Sequence, residues 1–357
     1  MAIAVADRSG HWKRLRTAGS AIAAVVAPAA ALAHVDHEAD AASTAGWNVT
    51  PDILIASLLV AAVYAAGLWR QRSKGSTASP WKHVNFFCGL AAVFIALQSP
   101  LDALANHLFS MHQVQHLLLQ TVAPIFLMLS APQGLLVAGM PAAVQRYVLR
   151  PVMSSRAVRR VFGFLVRPWI AAFLLVASLY VWHWPPYHDR AVLDDTVHYL
   201  MHVTMLAAGL LFYWHVFDPR PPPQGAGYGT RWNILLFTMT AGMLLGAAIA
   251  LKDTALYTAY DRAGRLWELS PLTDERIGGL IMWIPGSMLC VPAFLVILRM
   301  WNSRESRLDG HRRRGVAPVM PAVRAGNLEF ALRLAAIALA AFGATIGVAL
   351  ITTGQRF

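Results

Sequence analysis

The sequence predicts an all-α polytopic membrane helix bundle, and three observations carry that prediction. Hydrophobic residues make up 57% of the 357 residues and charged residues only 13%, against averages of about 45–50% and about 25% in soluble domains. The mean hydropathy is +0.49, so the chain lacks the charged surface that a soluble protein of this length requires. The charge-free stretches also run to roughly the 17–25 residues that a helix needs to cross a bilayer. Cys88 and Cys290, the two cysteines, lie inside apolar runs, which excludes a disulfide scaffold, a zinc ribbon and a CxxC redox motif. The net charge of +12 is spread over loops rather than gathered on one soluble face. It therefore speaks for membrane topology and against nucleic acid as a partner.

In chain order, residues 1–33 read as a cleaved signal peptide. Arg8, Lys13, Arg14 and Arg16 precede an uncharged small-residue stretch that ends Ala31-Leu32-Ala33, a small-x-small cleavage pattern. The alternative is a retained first helix; either reading puts His34 onward outside the cytoplasm. Residues 34–51 form an extracytoplasmic tail, with His34 and His37 at the new terminus. Seven spans follow within 52–302: 53–69, 83–101, part of 103–145, 168–188, 196–217, 232–251 and 277–298. Residues 303–329 read as a basic cytoplasmic linker, and 330–357 hold an eighth span, 334–355, with a short extracytoplasmic end. Trp69, Trp81, Trp169, Trp184, Trp214 and Trp301 sit near span ends, where interfacial tryptophans belong.

The loops sort by charge once the first span starts outside. The first, third, fifth and seventh loops carry twenty lysines and arginines, and the alternate loops carry only Arg190, Lys252, Arg262, Arg265 and Arg276. Basic residues stay on the cytoplasmic side, so both ends of the mature chain are expected outside a bacterial-type cytoplasmic membrane.

Polar groups at membrane depth are costly, so their placement carries functional information. Nine of the thirteen histidines fall outside or at the outer ends of spans: His34, His37, His107, His112, His116, His183, His188, His198 and His202. Two pairs are spaced i,i+4: His112 with His116 in the third span, and His198 with His202 in the fifth. On a helix this spacing stacks both imidazoles on one face about 6 Å apart, close enough to share a metal ion. Pro185 and Pro186 stop the fourth helix and hold His183 at the outer boundary. Asp189, Asp194 and Asp195 could orient imidazoles by hydrogen bonding to them, as carboxylates do beside metal-ligating histidines. Each histidine alone also fits helix–helix hydrogen bonding, and His34 and His37 also fit a solvated tail. Met111, Met201 and Met205 fit packing as well as soft ligation. The one-sided clustering favours a shared metal or cofactor site built from His112, His116, His183, His198 and His202, with His107 and His188 as weaker candidates.

Asp274 and Glu275 stand at the start of the seventh span, where carboxylates complement a helix N-terminus. The other reading is that they bind a cation or a partner. Gly278-Gly279 would let helices approach closely in lipid. There is no Walker glycine-lysine motif, no GxGxxG after a strand, no serine-nucleophile elbow and no HExxH, so nucleotide-driven and serine-nucleophile catalysis are unsupported.

Four motifs in order resemble one family. They are His112-Gln-Val-Gln-His116 followed by Ala123-Pro124, then Trp182-His183-Trp184-Pro185, then His198-Tyr-Leu-Met-His202 with Gly209-Leu-Leu-Phe-Tyr-Trp214, and Asp274-Glu-Arg-Ile-Gly278-Gly279-Leu-Ile-Met-Trp283. Together they resemble the CtaG-type cytochrome c oxidase assembly factors associated with caa-type oxidases. The chain differs from the family pattern at Met201 and at Tyr187-His188-Asp189. The resemblance implies a membrane assembly factor, not an enzyme, that meets cytochrome c oxidase subunits and periplasmic copper chaperones and helps form the copper centre. Imidazole and thioether donors suit copper. Three alternatives stand beside this reading. Histidines from two helices could hold haem in an oxidoreductase, the protein could be a metal-free scaffold, or it could be a copper transporter.

Overall fold

In the computed structural model of the protein, the described residues are Trp47, 49–73 and 79–313, with side chains to Gly310. The expected signal peptide, the His34/His37 tail and the eighth span lie outside them. The described chain is helical, with no strand. Among the described residues six helices are long and apolar enough to cross a membrane, or seven if one bent pair counts as a span.

The helices are α1 (Pro51–Arg72), α2 (Pro80–Gln98), α3 (Pro100–His107), α4 (Phe109–Ser130), α5 (Gln133–Gly139), α6 (142–154) and α7 (Arg156–Leu165). There follow α8 (Pro168–Trp182), α9 (Pro185–Leu193), α10 (Asp195–Val216), α11 (Tyr228–Ala250), α12 (Ala259–Ala263), α13 (Pro271–Met288) and α14 (Cys290–Arg313). Pro51, Pro80, Pro100, Pro168, Pro185 and Pro271 each open a helix, the position where a missing N–H and a fixed φ cost nothing.

Three boundaries differ from the sequence reading. The long run 103–145 divides at Leu108 and at Ala131, which adopts the left-handed φ of 48°, so the third span is α4 alone. The fourth span ends at Trp182 rather than 188, because Pro185 and Pro186 cannot continue it, and α9 starts in a new direction. On its other side α8 meets α7 at a 74° bend, at the pre-proline residue Arg167. Finally, helix continues through α13 and α14 over Pro271–Gly310. At 1.5 Å per residue that is about 60 Å, roughly twice the hydrocarbon thickness. The expected linker therefore begins as helix, to Arg313.

Close backbone approach positions the site. A methyl on Gly246 would lie 2.9 Å from the Gly279 carbonyl oxygen, and one on Gly279 would lie 2.8 Å from that of Gly246. Such small-residue contacts let helices pack in lipid without a hydrophobic driving force. Within α4, residues Leu118–Val122 form a π-helical turn just before Pro124, which supplies no N–H to the Gln120 carbonyl. That carbonyl lies against Gly209 of α10, where any Cβ would collide with it.

The largest core cluster joins Met128, Ala172, Phe212, Val216, Ile234 and Ile297. A smaller one, of Phe109, Ile249, Tyr257 and Tyr260, lies at the histidine-bearing ends of the helices. Met201 and Met205 are fully buried beside Ala191 and Trp182, as packing residues would be. Ile55, Leu58, Phe173, Leu244 and Leu295 point outward, as side chains facing lipid tails do.

Candidate metal centre

Six of the histidines meet in one cluster. Each i,i+4 pair stacks as the helix period dictates, with ring centroids 4.4 Å apart for His112–His116 and 4.4 Å for His198–His202. Across elements, His112 lies 5.1 Å from His198 and 5.0 Å from His188, His116 lies 5.8 Å from His202, and His183 lies 5.4 Å from His116. His112, His116, His183, His188 and His202 are buried, while His198 is half-buried. One ring nitrogen from each of His112, His116 and His202 lies within 4.8 Å of the others. Three imidazoles around one ion at about 2 Å stand roughly 3.5 Å apart, so closing on an ion takes a contraction of about an ångström.

Hydrogen bonds assign the protons. His188 Nδ1 donates to the Trp182 carbonyl at 3.0 Å, so in the neutral ring Nε2 is an acceptor. The Tyr260 hydroxyl, 2.7 Å away, donates to it. The Tyr260 oxygen then accepts from His112 Nδ1 at 2.8 Å, which leaves a bare lone pair on His112 Nε2. Among the described residues that nitrogen has no protein partner. The same is true of both ring nitrogens of His116, of His202 Nε2 and of His198 Nε2. Burial, with the His183 charge next, lowers the His188 pKa to about 3, so this relay runs through a neutral imidazole.

His183 is held differently. Its Nδ1 donates to the Leu179 carbonyl at 2.6 Å, and its Nε2 lies 2.7 Å from Gln113 Oε1. A ring that donates from Nδ1 must accept at Nε2, and the Gln113 amide nitrogen is buried without a partner. Turning that amide over satisfies both groups. Burial lowers the His183 pKa to about 4. His183 thus borders His116 with both nitrogens engaged, whereas His112, His116 and His202 present free ones.

The carboxylates anchor backbone rather than imidazoles. Asp189 Oδ2 accepts from the Thr258 N–H and hydroxyl, and its Oδ1 is buried with no partner. Asp194 caps α10 through the N–H groups of Thr196 and Val197. Asp274 accepts from the Phe109 and Ser110 N–H groups at 2.8 and 3.0 Å and pairs with Arg265. It therefore caps the helix that carries His112 and His116, while Ser270 caps its own. Glu275 takes the N–H groups of Leu256 and Tyr257 and pairs with Lys252. His107 bonds to the Gly264 carbonyl and stays out of the cluster. Sequence reasoning missed Gln113 and Tyr260, and also Tyr257, whose hydroxyl donates to the His183 carbonyl. The one signal for the tyrosines was an aromatic pair three residues apart in the loop after the sixth predicted span.

Fold and site together define a polytopic membrane protein with a buried polyhistidine centre at one end of its bundle. Residues 62–304 match the family described as cytochrome c oxidase caa3 assembly factor (Caa3_CtaG), and the chain belongs to that family. It is 26% identical over 265 residues to uncharacterized proteins of Mycobacterium bovis and Mycobacterium tuberculosis, and 25% identical to one of Mycobacterium leprae. These matches cover 73% of this chain and 40% of each relative, so the chain spans well under half the length of the curated relatives it matches. No solved structure matches it.

Proposed function

We propose that this protein assists maturation of cytochrome c oxidase by holding copper at His112, His116 and His202 and passing it toward the oxidase copper centre. The observation that carries this is the set of buried, unpartnered imidazole nitrogens on His112, His116 and His202. A buried polar group without a partner costs about 1–3 kcal/mol, and a metal ion would satisfy several at once. Imidazole suits copper, and a site without thiolates has exchangeable ligands, as transfer requires. His198, half-buried, stacks against His202 with ring centroids 4.4 Å apart. The protein holds and hands on a metal rather than turning over a substrate. Its partners in this reading are oxidase subunits and extracytoplasmic copper chaperones, and the basic-loop pattern supports a centre on the extracytoplasmic side of a bacterial-type cytoplasmic membrane. Haem fits less well. A macrocycle needs a slot between imidazoles, and here the rings pack against one another with centroids 4.4–6.2 Å apart.

The test is the copper content of the oxidase in cells carrying His116→Ala or His202→Ala. Oxidase lacking copper, with the variant still in the membrane, is expected. Full copper loading in both variants would refute the reading.

A further inference from the structure

We propose that the centre is selective for valence: it takes a monovalent soft cation, Cu(I) in the proposed function, in preference to Cu(II) or Zn(II). This rests on the metal-site reading above and goes beyond it, because the donor set alone suits both oxidation states of copper. What distinguishes them is the charge the surroundings can balance.

The three proposed ligands are neutral imidazoles. No thiolate is near them: Cys88 is exposed, and Cys290 lies in the core cluster with Phe212 and Ile297. The relay behind His112 passes through the Tyr260 hydroxyl and His188 to the Trp182 peptide carbonyl. Every group in it is neutral, where a carboxylate in that position would place negative charge behind the ring. The nearby carboxylates are already engaged. Asp274 is paired with Arg265 and Glu275 with Lys252, Asp194 caps a helix, and Asp195 is exposed. Asp102 accepts from the Gln115 amide. Asp189 is different. It makes no ion pair among the described residues, its Oδ1 is buried, and it holds the segment that bears Tyr260.

Burial makes the second charge expensive. His112 is fully buried, His116 is 3% exposed and His202 is 7% exposed, so an ion among them is largely removed from water. The cost of taking an ion out of water rises with the square of its charge, about fourfold from monovalent to divalent, on a base of several kcal/mol per ion. A divalent ion would need an added anion to offset this, and among the described residues no carboxylate forms a hydrogen bond or ion pair with the three ligands.

The experiment uses the full chain, purified in detergent, and titrates it with Ag(I) as a redox-inert Cu(I) probe, with Cu(I) under anaerobic chelator competition, and with Zn(II) and Cu(II). The result expected is one Ag(I) or Cu(I) per chain, bound at least about 100-fold more tightly than Zn(II) or Cu(II), the factor that about 3 kcal/mol supplies. His202→Ala should lose that site. Zn(II) or Cu(II) binding as tightly as Ag(I) would overturn the selectivity and leave the metal centre standing. Absence of stoichiometric binding for all four ions would remove the metal centre itself.

Discussion

His112 Nδ1 lies 2.8 Å from the Tyr260 hydroxyl, across 148 residues of sequence, and that contact decides which nitrogen His112 offers to the cluster. The hydroxyl already donates to His188, so it can only accept from His112. A ring that gives up its Nδ1 proton to this bond presents Nε2 as a lone pair.

Tyr260→Phe removes that acceptor and leaves the packing intact. With both tautomers of His112 then populated, metal affinity should fall about 10–100-fold, the usual cost of losing a group that orients a ligating histidine. Competition titration of the purified variant reads this directly. Affinity equal to the parent would mean that the hydroxyl does not govern the ring.

Asp274→Asn removes the buried one of the two carboxylates paired with Arg265, whose side chain is 8% exposed, leaving only the half-exposed Asp261, and strips charge from the cap of the histidine helix. Breaking a buried pair from one side costs about 3–5 kcal/mol. The variant is expected to show a clearly lower melting temperature and reduced abundance in membranes. The opposing double replacement, Asp274→Asn with Arg265→Gln, should recover part of the loss in a detergent thermal-shift measurement.

The centre should also be acid-labile. Burial lowers the pKa of His188 to about 3 and that of His183 to about 4, whereas an exposed imidazole titrates near 6.5. Between those limits the unfolded chain binds protons that the native one refuses, so stability rises with pH across this window and is fully present above about 6.5. Melting temperatures recorded from pH 7.5 down to 4.5 are expected to hold steady at first and then fall below about 6.5. A flat profile would show that these two rings are not held neutral.

Gly278→Val should misplace the first turn of the histidine helix. A methyl at Gly278 would fall on the Phe109 ring, and Phe109 begins the helix that Asp274 caps. Loss of metal binding with the protein still present in the membrane is the outcome expected, read by elemental analysis of the purified variant.

Much of this was legible in the sequence. The i,i+4 spacing of His112/His116 and His198/His202 fixed shared faces because helix geometry is local, and two such faces on neighbouring apolar helices meet readily. Proline positions marked most helix starts for the same reason. The supporting groups were not legible. Tyr260 reaches His112, and Asp274 reaches Phe109, through contacts that join segments more than a hundred residues apart. Nothing in the local pattern separates an aspartate that caps its own helix from one that caps another. Nor did hydropathy separate His107 from His112. Both precede apolar stretches, but the break at Leu108 turns one toward Gly264 and the other inward.

The π-helical turn at Leu118–Val122 acts as an angular offset. It holds one residue more than an α-turn would, and one residue is worth about 100° of rotation around the axis. The half of the helix before it aims His112 and His116 at the imidazole cluster. The half after it aims Met128 at the apolar core shared with Phe212 and Ile234. Without the extra residue the two halves would share a single azimuth, and seating one would swing the other away from its neighbours. Deleting one residue from this turn would therefore put the histidine pair out of phase with His202 while leaving every imidazole in the chain.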